Sequence, residues 1–296
     1  MLPVRTAHGA VLAALVLAAA AAPSPGAERA AGAGRMVTLR MSAPSLDERN
    51  RAVRVYLPSS YDRPESRARR YPVVFLLHGW PGGEGNWAGE GHAGATLDSL
   101  AGSGETPEVI AVMPSGGGVG LLGRSLYLNS YDGRSRMEDY VTRDLVAWVD
   151  RTFRTRREPR ARAVIGLSEG GGAAINLAFK HPDVFGACGS HSGEFRLGPG
   201  LGEGRIFGPE PGATRLREEN SPLAYLDRIA PRLARMSIYF DCGLADEELL
   251  ENRELDRRLT ALGVEHEYHE FPGSHQWSYW RRHLRESLRA ATSRMR

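Results

Sequence analysis

One short stretch of the chain combines a nucleophilic side chain with the glycines that a tight turn requires. Residues 166–170 read Gly-Leu-Ser-Glu-Gly, a G-x-S-x-G pattern between an apolar run and the helix-forming stretch Ala173–Lys180. In this setting the serine lies on a sharp strand-to-helix turn that lifts its hydroxyl out of a sheet. Glycines on either side avoid the clash that a Cβ would make there. We therefore predict that Ser168 is a nucleophile, with a plain glycine turn as the alternative.

A serine hydroxyl needs a general base, which in turn needs an acid to orient it. In the fold that carries G-x-S-x-G, the acid and then the histidine follow the serine along the chain. Most histidines after Ser168 fall within or at the end of a predicted strand or helix, whereas His275 lies in the turn 272–277 beyond the last predicted strand. We predict that His275 is the base and read His181, His266, His269 and His283 as parts of helices or strands.

Two aspartates are candidates for the acid that orients the histidine. Asp241 ends a predicted strand, and Asp246 lies in the loop that leads to the next predicted helix. Asp246 is in a G-x-x-D arrangement after the strand, and its neighbours Glu247 and Glu248 look like first-turn residues of that helix, so we favour Asp246 as the acid. Since the three residues are far apart in the chain, only the fold can bring them together.

Acyl chemistry at a serine also needs hydrogen-bond donors for the oxyanion that develops on the carbonyl oxygen. One donor is expected to be the amide after the nucleophile, which is that of Glu169. The second should come from the loop after the third strand, His-Gly-Trp-Pro at 78–81. Pro81 has no N–H, so we predict that Trp80 supplies the second amide.

The elements that must position these residues can be read from the hydrophobic pattern. Helical spacing of apolar residues predicts helices over Met137–Phe153, Asp246–Leu262 and 276–290. Short apolar runs predict eight strands: Val37–Met41, Arg51–Leu57, Val73–Leu77, Val109–Met113, Ala163–Gly166, Ala187–Ser190, Ser237–Phe240 and His266–Phe271. Two early strands that pair antiparallel, followed by strand–helix alternation, predict an α/β fold with a mostly parallel eight-stranded sheet and helices on both faces.

In such a sheet, ligands bind beyond the carboxyl ends of the strands. We therefore expect the chemistry directly after residues 77, 114, 167, 193 and 241. The run Val73–Leu77 is apolar throughout, as a strand buried on both faces should be.

The N-terminus has the pattern of an export signal. Arg5 precedes the uncharged apolar run Val11–Ala22, which is about half the length needed to span a bilayer, and helix-breaking residues follow. We predict a signal peptide at 1–27, a linker at 28–35 and a single domain at 36–296, in a secreted or periplasmic protein without stable membrane insertion. An uncleaved N-terminal anchor is the alternative.

Composition limits the remaining classes of function. Hydrophobic residues make up 42% of the 296 residues, which suits a chain with a sizeable core. The net charge is +3, and the arginine clusters are balanced by acidic residues, so we read them as solvated surface and expect no nucleic-acid partner. The two cysteines, Cys188 and Cys242, fall near the ends of neighbouring predicted strands, so a disulfide is the alternative to the two free, buried thiols that we expect; their spacing predicts no metal site.

With these residues in hand, the chain resembles the Putative esterase family of α/β-hydrolases. That family includes feruloyl and acetyl-xylan esterases, S-formylglutathione hydrolase, enterochelin esterases and mycolyltransferases. The resemblance covers about residues 50–290 and implies the α/β-hydrolase fold, with Ser168, Asp246 and His275 as its triad. Many relatives have Met after the nucleophile where this chain has Glu169. The motifs that carry the resemblance are Leu-Leu-His-Gly at 76–79, Val-Met-Pro at 112–114, Gly-Leu-Ser-Glu-Gly-Gly at 166–171, His-Pro-Asp-Val-Phe-Gly at 181–186, Gly-Ser-His-Gln-Trp at 273–277 and Trp280.

The resemblance implies a cofactor-independent serine esterase that acts on small-molecule or carbohydrate esters. Aromatic residues near the strand ends suit sugar or aromatic acyl groups, and we expect Trp87, Tyr127 and Trp277 to contact the substrate. Export argues against S-formylglutathione, a cytoplasmic metabolite. Two alternatives stay open: an acyltransferase that uses the same triad, and a secreted binding protein without catalysis.

Overall fold

Residues 32–200 and 203–295, which a computed structural model describes, are built around one sheet of eight strands. The strands are β1 (Arg35–Ala43), β2 (Glu48–Leu57), β3 (Val73–Leu77), β4 (Ile110–Pro114), β5 (Arg162–Leu167), β6 (Ala187–His191), β7 (Ser237–Gly243) and β8 (Glu267–Phe271). Their order is β1-β2-β4-β3-β5-β6-β7-β8. The β1–β2 and β2–β4 pairs are antiparallel, and every other pair is parallel. The prediction of a mostly parallel eight-stranded sheet is therefore confirmed.

Helices cover both faces of this sheet. They are α1 (Ala93–Gly102), α2 (Met137–Asp139), α3 (Val146–Thr152), α4 (Glu169–Lys180), α5 (Gly204–Phe207), α6 (Gly212–Glu219), α7 (Pro222–Ile229), α8 (Leu249–Ala261) and α9 (Trp277–Thr292). A π-helical segment, Tyr140–Leu145, joins α2 to α3, so the predicted helix over Met137–Phe153 is one continuous helical path. Shorter 3₁₀ turns occur at Pro44–Leu46, Pro64–Ser66, Leu121–Gly123, Pro159–Ala161 and Ala230–Leu233.

The core lies in two layers, one on each face of the sheet. On the central strand β3, Phe75 packs into the layer that contains Ile175 of α4, while Leu76 packs into the layer that contains Leu284 of α9. All five residues of β3 are fully buried, because parallel neighbours and helices cover them on every side. The sheet therefore gives the loops at its carboxyl edge a rigid base.

One helix boundary differs from its prediction. The helix predicted to start at Asp246 begins at Leu249, and Glu248 lies at its N-cap rather than in its first turn. The physical reason is a side-chain hydrogen bond: the Glu248 amide donates to Asp246 Oδ1 at 3.0 Å and holds residues 246–248 in a turn. That turn keeps Asp246 at the edge of the sheet.

Both cysteines, Cys188 on β6 and Cys242 on β7, are free and buried. The predicted signal peptide at 1–27 and the first part of the predicted linker, residues 28–31, lie outside the described residues. No helix between residues 32 and 295, as far as the structure describes them, is long and apolar enough to cross a membrane.

Candidate active site

Ser168 lies at the sharp turn between β5 and α4. Its backbone has φ 52° and ψ −126°, a conformation that L-residues rarely adopt and that costs of order 1–3 kcal/mol. The turn is tight enough to require glycine at its flanks, since a Cβ on Gly166 would lie 2.0 Å from the Gly170 carbonyl oxygen. Strain of this kind at a nucleophilic side chain is the geometry that the G-x-S-x-G pattern predicts.

The imidazole of His275 lies between Ser168 and Asp246. Its Nε2 is 2.8 Å from Ser168 Oγ, and its Nδ1 is 3.0 Å from Asp246 Oδ1. An ionised carboxylate only accepts hydrogen bonds, so Nδ1 carries the proton and Nε2 is free to accept one from the hydroxyl. The three residues follow β5, β7 and β8, and the parallel pairing of the intervening strands brings their carboxyl ends to one edge.

The charges around His275 favour its protonated form. Burial lowers the pKa of His275, but the hydrogen bond to Asp246 and the nearby carboxylates of Glu247 and Glu248 outweigh it and raise the pKa above 6.5. Burial likewise opposes ionisation of Asp246, yet hydrogen bonds from His275 and from the Glu248 amide hold the pKa of this carboxyl below its ordinary value. The site is therefore arranged to stabilise an imidazolium beside an aspartate.

Asp241, the competing aspartate, has a different environment. It is fully buried and accepts hydrogen bonds from Tyr239 and Tyr279, while its Oδ2 is 2.8 Å from His191 Nδ1. His191 continues this network to Ser287 at 2.9 Å. The network ties β6, β7 and α9 together beneath the site.

The two amides proposed from the sequence as oxyanion donors lie on segments that approach Ser168. Glu169 begins α4, whose first amides have no acceptor within the helix and whose dipole places positive charge there. The other segment comes close, since a Cβ on Gly79 would lie 3.1 Å from Ser168 Cβ. In the described part of the chain, neither the Trp80 amide nor the Glu169 amide has a hydrogen-bond acceptor.

His78, which opens this segment, makes two hydrogen bonds that fix the tautomer of its own ring. The Gly116 amide donates to His78 Nε2 at 2.8 Å, so Nε2 is an acceptor and Nδ1–H donates to the Gly79 carbonyl at 2.8 Å. Burial lowers the pKa of His78 and keeps the ring neutral. This agrees with reading His78 as a structural residue.

Two of the three aromatic residues that were expected to contact the substrate are buried. Trp87 and Tyr127 are each 1% exposed, and their polar atoms donate to the carbonyls of Leu77 and His78 respectively. Their rings therefore offer no surface to a substrate, and we correct the expectation of contact for both. Trp277 is half-buried and packs perpendicular to Trp87 at 5.6 Å, so part of its ring does face outwards.

A cluster of charged residues beside the nucleophile was not expected. The Arg124 guanidinium pairs with Glu169 at 2.8 Å, with Glu203 at 2.8 Å and with Glu194 at 3.2 Å. No pattern in the sequence predicts this cluster, because its members are separated by long stretches of chain and Arg is abundant. Within residues 32–200 and 203–295, no group of His, Cys, Asp or Glu could hold a metal ion.

Comparison with known proteins shows what the whole chain is similar to. The family model described as Putative esterase matches residues 44–291. Esterase Rv1288 of Mycobacterium tuberculosis is 30% identical over 253 residues, which cover 76% of this chain but 52% of that protein. The chain thus spans about half the length of this curated relative.

Two further similarities name a related activity. An endo-1,4-beta-xylanase/feruloyl esterase of Xylanibacter ruminicola is 32% identical over 143 residues, 47% of this chain and 19% of that protein. Among solved structures, a ferulic acid esterase superposes with a TM-score of 0.79 at 28% identity, covering 89% of this chain and 99% of that one.

Proposed function

The chain belongs to the Putative esterase family of α/β-hydrolases, and from this membership we propose that it hydrolyses carboxylic esters through Ser168, His275 and Asp246. The observation that carries the proposal is the chain of contacts from Ser168 Oγ to His275 Nε2 at 2.8 Å and from His275 Nδ1 to Asp246 Oδ1 at 3.0 Å. Each contact has the length and order that proton transfer from a serine requires.

In the first half-reaction, His275 Nε2 takes the proton of Ser168 as Oγ bonds to the ester carbonyl carbon. The carbonyl electron pair moves to oxygen and forms a tetrahedral oxyanion. When this intermediate collapses, the bond to the alkoxy group breaks and His275 returns the proton to the leaving alcohol. Asp246 stabilises the imidazolium that exists between these two transfers.

Water completes the cycle on the acyl-enzyme. His275 removes a proton from a water molecule as its oxygen attacks the acyl carbon, and the collapse of the second intermediate returns the proton to Ser168 Oγ. The Trp80 and Glu169 amides would hold the oxyanion in both intermediates. Losing one such donor typically costs about 3 kcal/mol of transition-state stabilisation.

For the substrate, we propose esters of aromatic or carbohydrate-linked acyl groups. Support comes from the half-buried rings of Trp80 and Trp277, which can stack on planar or sugar surfaces beside the site. The feruloyl esterase names of two similar proteins point the same way. The apolar run Val11–Ala22 supports an exported protein that meets such esters outside the cytoplasm.

The test is turnover of p-nitrophenyl acetate, p-nitrophenyl butyrate and methyl ferulate by the purified protein and by Ser168→Ala. We expect the variant to lose turnover of all three esters. Ser190→Ala is the matched control, because it removes another buried hydroxyl, one without a hydrogen-bond partner among the described residues. Equal turnover by the wild type and Ser168→Ala would refute the proposal.

A further inference from the structure

One surface loop contacts both segments that carry the proposed oxyanion donors. Residues 115–127, here named the clamp loop, follow β4 and lie over the start of α4. On the Trp80 side, the Gly116 amide donates to His78 Nε2 at 2.8 Å, and Tyr127 donates to the His78 carbonyl at 3.0 Å. The indole of Trp80 itself donates to the Leu122 carbonyl of this loop at 3.3 Å.

On the other side, the clamp loop holds the carboxylate of Glu169. Arg124 Nε donates to Glu169 Oε2 at 2.8 Å, and the Leu126 amide donates to Glu169 Oε1 at 2.9 Å. Both oxygens of the Glu169 carboxylate therefore accept hydrogen bonds from the same loop, and the residue is only 6% exposed. Because the clamp loop holds this carboxylate, it also restrains the position of the Glu169 backbone amide.

Arg124 is the charged centre of these contacts. Besides Glu169 it pairs with Glu203 and Glu194, and its guanidinium lies over the Trp80 ring at 5.6 Å. Its side chain is only 18% exposed, so these interactions are partly shielded from water. Arg124 thus contacts both Trp80 and Glu169, the two residues whose amides are the proposed donors.

The backbone of the clamp loop is strained where it meets Glu169. Leu126 and Tyr127 both have φ near +52°, in the left-handed region that bulky residues rarely adopt. Strained residues persist only where their surroundings over-determine them. Here the hydrogen bond from Leu126 to Glu169 and that from Tyr127 to His78 supply the constraint.

We propose that Arg124 and Glu169 are positioning residues of the oxyanion hole, in which the ion pair fixes the Trp80 and Glu169 amides relative to each other. The proposal rests on the proposed function. Burial raises the pKa of Glu169, and the hydrogen bond and charge of the Arg124 guanidinium oppose that rise. Removing Arg124 leaves the buried Glu169 carboxylate without its guanidinium, whereas removing Glu169 leaves Arg124 with Glu203 and Glu194 alone and no longer tied to α4.

The test compares Arg124→Met, Glu169→Met and the double variant with p-nitrophenyl butyrate as substrate. A displacement of about 1 Å can cost about 10²-fold in rate, so we expect each single variant to lose about that much in kcat, with KM within about threefold. The double variant should lose less than the product of the two single losses. Glu203→Gln is the matched control, since it alters a partner of the same guanidinium that contacts neither donor segment, and it should stay within about threefold of wild type.

A second readout separates positioning from loss of fold. A trifluoromethyl ketone adds to Ser168 and places an oxyanion in the hole, so its inhibition constant should rise in parallel with the fall in kcat. A normal kcat in both single variants would overturn the inference. So would a fall in kcat that leaves ketone affinity unchanged, or one that only follows the unfolded fraction seen by circular dichroism. If Ser168→Ala remained active under the same conditions, the proposed function itself would fail instead.

Discussion

The indole ring of Trp280 stands perpendicular to the imidazole of His275, with the two ring centroids 4.9 Å apart. The same indole donates from Nε1 to Ser192 Oγ at 3.1 Å, so its position is set from the side of β6. Trp277 packs perpendicular to Trp280 in turn, at 5.4 Å. The imidazole is therefore held by an aromatic wall as well as by Asp246.

We expect Trp280→Phe to lower kcat by up to about tenfold, the factor that ~1.4 kcal/mol of barrier represents. A phenyl ring keeps part of the packing but loses the hydrogen bond to Ser192, which should cost about 1 kcal/mol of unfolding free energy. Steady-state kinetics and urea unfolding measure the two effects. Trp148→Phe, a partly buried tryptophan away from the site, should change stability alone. An unchanged kcat in Trp280→Phe would show that packing against Trp280 does not orient His275.

The pH dependence of kcat/KM should reflect the raised pKa of His275. The base acts in its neutral form, so activity should rise with pH through a midpoint above 6.5. Glu247 and Glu248 contribute to the shift by favouring the imidazolium, and replacing both with Gln should move the midpoint down. A pH–rate profile from pH 5 to 9 measures it. A midpoint that stayed in place or rose would contradict the assigned charges.

Asp246 and Asp241 should respond differently to the same substitution. Asp246→Asn should lower kcat by about 10³–10⁴-fold, because an amide no longer fixes the tautomer or stabilises the imidazolium. Asp241→Asn disturbs a buried network of two tyrosines and His191, and we expect it to cost about 3 kcal/mol of unfolding free energy. Kinetics and thermal unfolding of both variants give the comparison. If instead Asp241→Asn lost kcat and Asp246→Asn lost only stability, Asp241 would be the acid.

Charge around the base should discriminate against anionic substrates. Glu194, Glu247 and Glu248 all act on His275, whereas Arg124 is occupied by its own carboxylate partners. We expect the mono-p-nitrophenyl ester of glutaric acid to react at least about tenfold more slowly, in kcat/KM, than p-nitrophenyl valerate. The difference should shrink with added salt, which screens exposed charges.

That discrimination should also depend on pH. Burial, followed by repulsion from Glu194 and Glu251, raises the pKa of Glu248 to about 7. This carboxyl therefore gains its charge as pH rises from 6 to 8, so the ratio of the two kcat/KM values should widen over that range. A ratio that is constant with pH would exclude Glu248 from the effect.

Strands and strand-end residues could be read from the sequence because burial leaves a local signal. A strand such as Val73–Leu77 is apolar on both faces, and glycines mark the turn at Ser168, where a Cβ has no room. Parallel pairing then brings the strand ends together, so the places of Asp246 and His275 follow from topology.

Other features leave no such signal. Arg124 and Glu169 are separated by 45 positions, and charged pairs at that distance have no periodicity. Aromatic side chains occur both in cores and at binding surfaces, so the sequence did not show that Trp87 and Tyr127, which were expected to contact the substrate, are buried. The start of α8 was placed too early because acidic residues are typical of a first helical turn, and residues 246–248 are all acidic although they precede the helix.

The two free cysteines have a consequence for where this chain can fold. Cys188 and Cys242 lie inside the sheet, and burial raises the pKa of both thiols, so neither is poised to react as a thiolate. The folded state contains no covalent cross-link between them, and its stability should be the same under oxidising and reducing conditions. An exported chain of this design would need no thiol oxidase at its destination, and the same protein should mature equally well in a reducing cytosol.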